Sequence, residues 1–307
     1  MRIGLNGGGH ERSLAAIRAQ ARTAAEDGFA SYWLSQITGP DALTALAIVG
    51  SETPRIELGV SIVPIYGRHP IALAIAALTA QQATGGRLVL GVGVSHRAVV
   101  EGVMGLRYER SYSYAREYLA ILKPLLAGEP VNFAGGELTT RTQLAIDGVA
   151  TPPIVLAALG PRMLELAGRE ADGCTTWMVG EKTLREYVVP SVRRAADAAK
   201  RPCPRIVVGL PVCVTRDPEA ARRFARNQLA VYGTLPVYGA MLEREGAAGP
   251  EDLLMTGDED EVRERIAAIA AAGGTELRAA EVCATPDDAL RTRALLRSLL
   301  ADRRVAA

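Results

Sequence analysis

Short apolar runs alternate along the chain with longer stretches in which apolar residues return every three or four positions. The short runs fall at residues 2–6, 31–34, 56–63, 88–93, 154–158, 174–177, 206–215 and 277–282. Several, such as 56–63, are nearly continuous in β-branched and aliphatic residues, as expected of parallel strands covered on both faces. The longer stretches read as helices at 12–27, 41–52, 71–83, 114–126, 162–169, 182–200, 219–232, 237–245 and 261–271. A last helix has Thr285 as its N-cap and Pro286 at its first position. Thr53-Pro54 and Gly85-Gly86 stop two of these helices. Between helix 114–126 and strand 154–158, the segments 131–133 and 138–141 flank Gly135-Gly136 and predict a small surface hairpin.

Eight strands separated by helices, with no shift of composition along 307 residues, predict an α/β fold. The specific expectation is one (β/α)8 (TIM) barrel domain over residues 1–307 with a small insertion after the fourth helix. A doubly wound sheet has fewer units and rarely keeps this rhythm so long. In a barrel the chemistry gathers just after the strands, at their carboxyl ends.

Composition narrows the partners. The net charge is +1, from 35 basic and 34 acidic side chains, so no broad field draws nucleic acid or an anionic membrane. No run of apolar residues reaches the length of a membrane span. The chain turns polar by Asn6, too early for a signal-peptide core, and a cytoplasmic location is expected. Cys174, Cys203, Cys213 and Cys283 form no CxxC pair, and His10, His69 and His96 do not cluster, so neither a metal site nor a disulfide framework is expected.

The polar or glycine-rich strand ends are Asn6-Gly7-Gly8-Gly9, Ser35-Gln36, Ser61-Ile62-Val63-Pro64, Gly91-Val92-Gly93-Val94-Ser95-His96, Leu159-Gly160-Pro161-Arg162 and Trp177-Met178. At Gly160-Pro161 a strand meets a helix whose first N–H groups are free, an arrangement that suits a phosphate as well as it suits a plain turn. Gly91 and Gly93 are half of a dinucleotide fingerprint, with His96 where a third glycine belongs; they allow a flat ligand close to the backbone. Gly7-Gly8-Gly9 lacks the ending of a P-loop and reads as a flexible loop. His96 is the candidate proton carrier, with a purely structural histidine as the alternative. His69 reads as a packing or capping residue, and Trp177 as a stacking wall or a core residue. No nucleophile–base pair and no paired carboxylates fall at neighbouring strand ends, which points to chemistry carried by a bound cofactor.

Several phrases in order resemble the bacterial luciferase-like flavin superfamily. They are His69-Pro70 through Leu78-Thr79, Gly85-Gly86-Arg87-Leu88-Val89-Leu90-Gly91-Val92-Gly93, Pro153 to Pro161 continuing through Arg162 to Gly168 and Ala171-Asp172-Gly173, and Gly257-Asp258-Glu259-Asp260-Glu261-Val262 with Gly273-Gly274. The chain is most similar to the actinobacterial branch that uses coenzyme F420, a deazaflavin. This resemblance implies a ring at the carboxyl ends of the strands, backed by a non-proline cis peptide at Ser61-Ile62 in the third strand. It further implies cofactor contacts from Gly93, Val94 and Ser95, a phosphate held by Leu159-Gly160-Pro161 with Arg162, and a ring edge lined by Ser35 and Gln36. Val63 and Trp177 complete the expected cofactor surface. Arg68, Arg97 and Arg162 are candidates for the cofactor's acidic tail.

The sequence departs from the sugar-phosphate dehydrogenases of that branch. Gln36-Ile37 and His96 stand where those enzymes carry an Asp-His pair and a glutamate. His96, Tyr66, Tyr108 and Tyr112 are the remaining candidates for a proton donor. The expected function is reduction of a C=C or C=N bond of a small organic molecule with reduced F420. An FMN-dependent monooxygenase and a non-catalytic flavin-binding protein are the alternatives. By analogy with families of this kind, a homodimer is expected.

Overall fold

The apolar runs become strands β1 (Arg2–Asn6), β2 (Ser31–Ser35), β3 (Glu57–Pro64), β4 (Leu88–Gly93), β5 (Val131–Ala134), β6 (Thr139–Thr142), β7 (Ile154–Ala157), β8 (Gly173–Trp177), β9 (Arg205–Val214), β10 (Met255–Gly257) and β11 (Glu276–Glu281). In the computed structural model, which describes residues 1–7 and 13–300, eight of these close a parallel barrel. The order is β1-β2-β3-β4-β7-β8-β9-β11 and back to β1, closed by pairing of β8 with β9 (Gly173 opposite Arg205, Trp177 opposite Gly209) and of β11 with β1 (Leu277 opposite Ile3). The (β/α)8 barrel expected from the alternation is therefore the fold. Gly8, Gly9 and His10 of the first strand-end loop lie outside the described residues.

The predicted hairpin is β5 with β6, antiparallel, Val131 opposite Thr142. It is held to the helix Ser111–Leu126 by the buried Glu117 carboxylate, which accepts N–H bonds from Gly136, Glu137 and Leu138 at 3.1, 2.8 and 2.9 Å. Burial alone would raise the Glu117 pKa, but these three donors outweigh it and hold the carboxyl below its ordinary value. Three short elements were not anticipated, one of them a 3-10 turn at Pro250–Leu253. Helix Arg97–Gly102 is six residues long and has no side-chain cap, and β10 adds only three residues beside β9. Segments this short carry no readable period.

Inward positions alternate along each strand, and at the amino-terminal end they form a sealed floor. Trp33 fills the interior with Val89, Val155 and Val207. Gly59 makes this possible, since a Cβ there would lie 2.2 Å from the Trp33 ring. Below it Glu276, wholly buried, accepts from Trp33 Nε1 at 2.7 Å and from Ser31 Oγ. Arg205 pairs with both Glu276 and Glu57 and so ties β9 to β11 and β3. Each charge of this floor group thus has an opposite partner.

Candidate active site

At the carboxyl end the interior is left open by glycine and small residues, and β3 bends into it. The registers of β3 against β2 and against β4 both slip at Ser61-Ile62, a β-bulge that places Ser35 opposite Ile62. The bulge turns carbonyls toward the barrel axis. A Cβ on Gly91 would lie 2.1 Å from the Val60 carbonyl oxygen and 2.5 Å from that of Ser61, so only glycine fits at that position on β4. One layer higher, a Cβ on Gly93 would lie 2.9 Å from both Ile62 Cδ1 and Ala157 Cβ. Gln36 N–H donates to the Ile62 carbonyl at 3.0 Å and Ile65 N–H to that of Gly93 at 2.9 Å, anchoring the bulge on both sides.

The sequence resemblance implied a cis peptide at Ser61-Ile62; this is corrected here, for no peptide among the described residues is cis. The extra residue of the bulge turns the chain inward with trans peptides throughout. Ser61 itself is buried, and its hydroxyl has no hydrogen-bond partner.

After β4 the chain passes through Val94, half-buried against the core, to Ser95 in a left-handed conformation (φ 59°), whose carbonyl accepts from Tyr108 Oη at 3.2 Å. His96 follows, half-buried at the start of helix Arg97–Gly102 without capping it. Burial pushes its imidazole below the ordinary histidine range. Its ring leans on Tyr238, centroids 5.6 Å apart, and Tyr238 packs edge-on against Tyr232 at 5.0 Å. Tyr232 meets Trp177 at 5.9 Å. Tyr232 and Tyr238 come from the helices Pro218–Gly233 and Pro236–Glu245 after β9, so this row of rings spans the mouth from β4 to β8. Burial raises both phenol pKa values, which keeps them protonated.

Beside β7, the helix Pro161–Glu170 begins with Gly160 as its N-cap, Pro161 at its first position and no side-chain cap. Nothing lies within 4 Å of where a Gly160 Cβ would stand. The N–H groups of Arg162 and Met163 in the helix's first turn have no intrahelical acceptor and no side-chain cap. Arg162 lies over the Tyr112 ring at 3.9 Å and has no carboxylate partner among the described residues. The other two arginines considered for an acidic tail are engaged: Arg68 with Asp41 at 2.6 Å, and Arg97 with Glu101 at 2.6 Å and the Tyr108 carbonyl at 3.0 Å.

The opposite wall carries residues the sequence reading passed over. Arg278 of β11 points into the barrel and is 4% exposed. It donates to Asn6 Oδ1 at 2.5 Å and to the Thr176 carbonyl at 3.1 Å, and lies 5.5 Å from the Trp177 ring centroid. Gly209 gives it room, as a Cβ there would be 2.6 Å from Arg278 Cζ. No carboxylate is within ion-pair distance among the described residues, and Arg278 Nε, Trp177 Nε1 and Thr175 Oγ1 have no partners.

Several predicted residues have local duties. Gln36 accepts the N–H of Ala42 at 2.7 Å, tying its carbonyl to a helix start rather than leaving it free at a ring edge. His69 caps the helix Pro70–Ala83 through Ile71 N–H at 3.2 Å, as its position suggested. Leu159 gives its carbonyl to Tyr187 Oη at 3.2 Å. Tyr66 Oη donates to the Glu109 carbonyl at 3.3 Å, and its pKa is pushed up to about 12 by burial. Among the described residues no three His, Cys, Asp or Glu side chains gather as metal ligands, and no helix is long and apolar enough to cross a membrane.

Comparison with known proteins agrees with this layout. A protein of Mycobacterium tuberculosis provisionally named a coenzyme F420-dependent oxidoreductase is 40% identical over 170 residues, covering 50% of this chain and 49% of that one. The chain spans about half to two thirds of the length of several curated relatives it matches. Two solved structures share the fold over nearly their whole length. An F420-dependent secondary alcohol dehydrogenase holding an F420-acetone adduct has TM-score 0.82, 18% identity and coverage of 98% of this chain and 99% of that one. The FMN-bound oxygenating component of 3,6-diketocamphane monooxygenase from Pseudomonas putida has TM-score 0.77, 18% identity and coverage of 98% and 97%. The family model for luciferase-like monooxygenases matches residues 2–276, and the chain belongs to that family.

Proposed function

We propose that this chain is an F420-dependent oxidoreductase that reduces a C=C or C=N bond of a small organic molecule. The observation that carries the reading is the placement on consecutive strands, at the carboxyl end of the barrel, of the Ser61-Ile62 bulge, Gly93 and the uncapped helix start at Gly160. Gly93 keeps the space clear, the partnerless Ser61 hydroxyl is available to the polar edge of the cofactor ring, and the uncapped helix start at Gly160 suits the cofactor's phosphate. When bound, reduced F420 supplies a hydride from the central carbon of its ring and activates oxygen poorly.

The chain's own residues divide the remaining work. Ser61, Ile62 and Val63 back the ring from β3, with Gly93, Val94 and Ser95 beside them on β4. The N–H groups of Arg162 and Met163 hold the phosphate, and the guanidinium of Arg162 faces the acidic tail. Tyr232 and Tyr238 exclude water. His96 is the candidate to hand over the proton; burial lowers its pKa, so its protonated form is a stronger acid than a free imidazolium and is populated on the acid side of the ordinary histidine range.

The choice of F420 over FMN is supported by the relative at 40% identity and by Arg162, a cation without a carboxylate next to the helix start. A fluorescence titration with both cofactors tests it. Micromolar or tighter binding of F420, with FMN at least about tenfold weaker, is expected. Binding of FMN alone would overturn the assignment.

A further inference from the structure

The Ser61-Ile62 bulge, Gly93 and the Gly160 helix start stand on β3, β4 and β7, which are consecutive in the barrel. Arg278 and Asn6 stand on β11 and β1, across the barrel from β4 and β7, and Trp177 stands on β8, the neighbour of β7. A ring seated on β3, β4 and β7 would have Arg278 facing it from the other side of the barrel. We infer that Arg278, with the Trp177 indole beside it, is an anchor for an anionic oxygen of the substrate, so that the substrate class is a small organic acid or an enolisable carbonyl compound.

Three features lead there. Arg278 is a buried cation with no carboxylate, an uncommon arrangement because desolvation of an uncompensated charge is costly. Burial lowers its pKa to about 10, so it still carries its charge at neutral pH. Its two terminal nitrogens are fixed by Asn6 and the Thr176 carbonyl while Nε has no partner, and the Trp177 indole stands beside it on β8. Neutral acceptors hold the fork in place without neutralising it. The surroundings that face it are the Trp177 ring, the phenols of Tyr232 and Tyr238, and Gly209, none of them anionic. Glu276, two residues away on β11, is occupied by Arg205, Ser31 and Trp33 on the floor.

This assignment rests on the proposed function for the placing of the ring, but its test does not depend on which cofactor binds. The protein has two tryptophans, and Trp33 is sealed in the floor, so ligand-induced fluorescence changes report Trp177. Acetate, butyrate and benzoate are titrated against the corresponding primary amides, with and without saturating F420. The acids are expected to bind at least about tenfold tighter than the amides, as a charge-assisted bond to a desolvated guanidinium requires. Arg278→Gln should remove that preference and leave F420 affinity within about twofold, and Arg278→Lys, which keeps the charge without the fork, should retain part of it. Equal binding of acids and amides by the unaltered protein overturns the inference without recourse to any variant. So does a preference that survives Arg278→Gln. A loss of F420 affinity in Arg278→Gln, with the acid preference intact, assigns the arginine to the cofactor and also overturns it. Failure of F420 to bind at all, with the acid preference present, strikes the proposed function alone.

Discussion

Replacing Gly91 by alanine tests the placement of the bulge most directly. The new methyl would stand 2.1 Å from the Val60 carbonyl oxygen and 2.5 Å from that of Ser61, against an ordinary carbon contact of about 3.5 Å. Both obstacles are backbone, so no side chain can swing aside, and β3 must retreat by about 1 Å. Overpacking of this kind costs about 1–3 kcal/mol, and a clash with backbone belongs at the upper end. With an unfolding entropy of about 2 cal/mol/K per residue, a loss of about 3 kcal/mol in a chain of 307 residues lowers Tm by about 5 °C. The bulge moves with β3, so affinity for the flat cofactor should fall as well. Gly93→Ala is milder, because what it meets at 2.9 Å, Ile62 Cδ1 and Ala157 Cβ, is side chain rather than backbone, and the Ile62 methyl can rotate away. Gly160→Ala meets nothing and has an ordinary φ of −74°, so its Tm should stay within about 1 °C of the parent. Thermal melts and cofactor titrations on the three variants measure this order. A Gly91→Ala protein that melts and binds like the parent would refute the inward bulge.

Two further outcomes follow from named groups. If His96 delivers the proton, reduction needs its protonated form, and burial sets its pKa below 6.5; kcat/KM should therefore rise as pH falls through that value and decline above it. His96→Gln should flatten the profile, and an unchanged profile would exclude His96 as donor. Glu117 has a folded pKa below its unfolded value, so its contribution is complete above about pH 4.5 and is lost as pH falls through the folded pKa. Amide exchange at Gly136, Glu137 and Leu138 should accelerate in that acid range, and Glu117→Gln should reproduce the effect at neutral pH; protection that ignores both changes would disprove the tie.

The barrel was legible because its strands are covered on both faces. Runs such as 56–63 and 88–93 have no polar alternation, and Gly85-Gly86 and Thr53-Pro54 mark where helices must stop. The β5–β6 hairpin was equally plain from Gly135-Gly136. The strand-end motifs Ser61-Ile62, Gly93 and Gly160 fall on or just after the consecutive strands β3, β4 and β7. The peptide geometry at Ser61-Ile62 was another matter, since it came from resemblance, and the chain makes the inward turn by slipping register instead.

Tyr232, Tyr238 and Arg278 went unread for a physical reason. The tyrosines lie on amphipathic helices whose docking over the mouth depends on barrel closure. A signal for Arg278 did exist. Glu276 and Arg278 are two apart in a strand otherwise shut off from water, and charges at that spacing point to the same side. With Gly209 and Gly4 in register beside Arg278, the strand leaves room for a long side chain inside the barrel. Recognising it required the pairing of β11 with β9, which no local pattern gives.

The plug of Trp33 over Glu276, Arg205 and Glu57 makes the barrel a well with one open end. Solvent, substrate and product must all pass the rim on the side of the aromatic row, and no proton can arrive from beneath. On the proposed function, every proton consumed inside would be handed across by a rim residue or carried in with the substrate. Traffic and protonation are thereby put under the control of the same few side chains, and widening the rim to admit a larger molecule would also let in water.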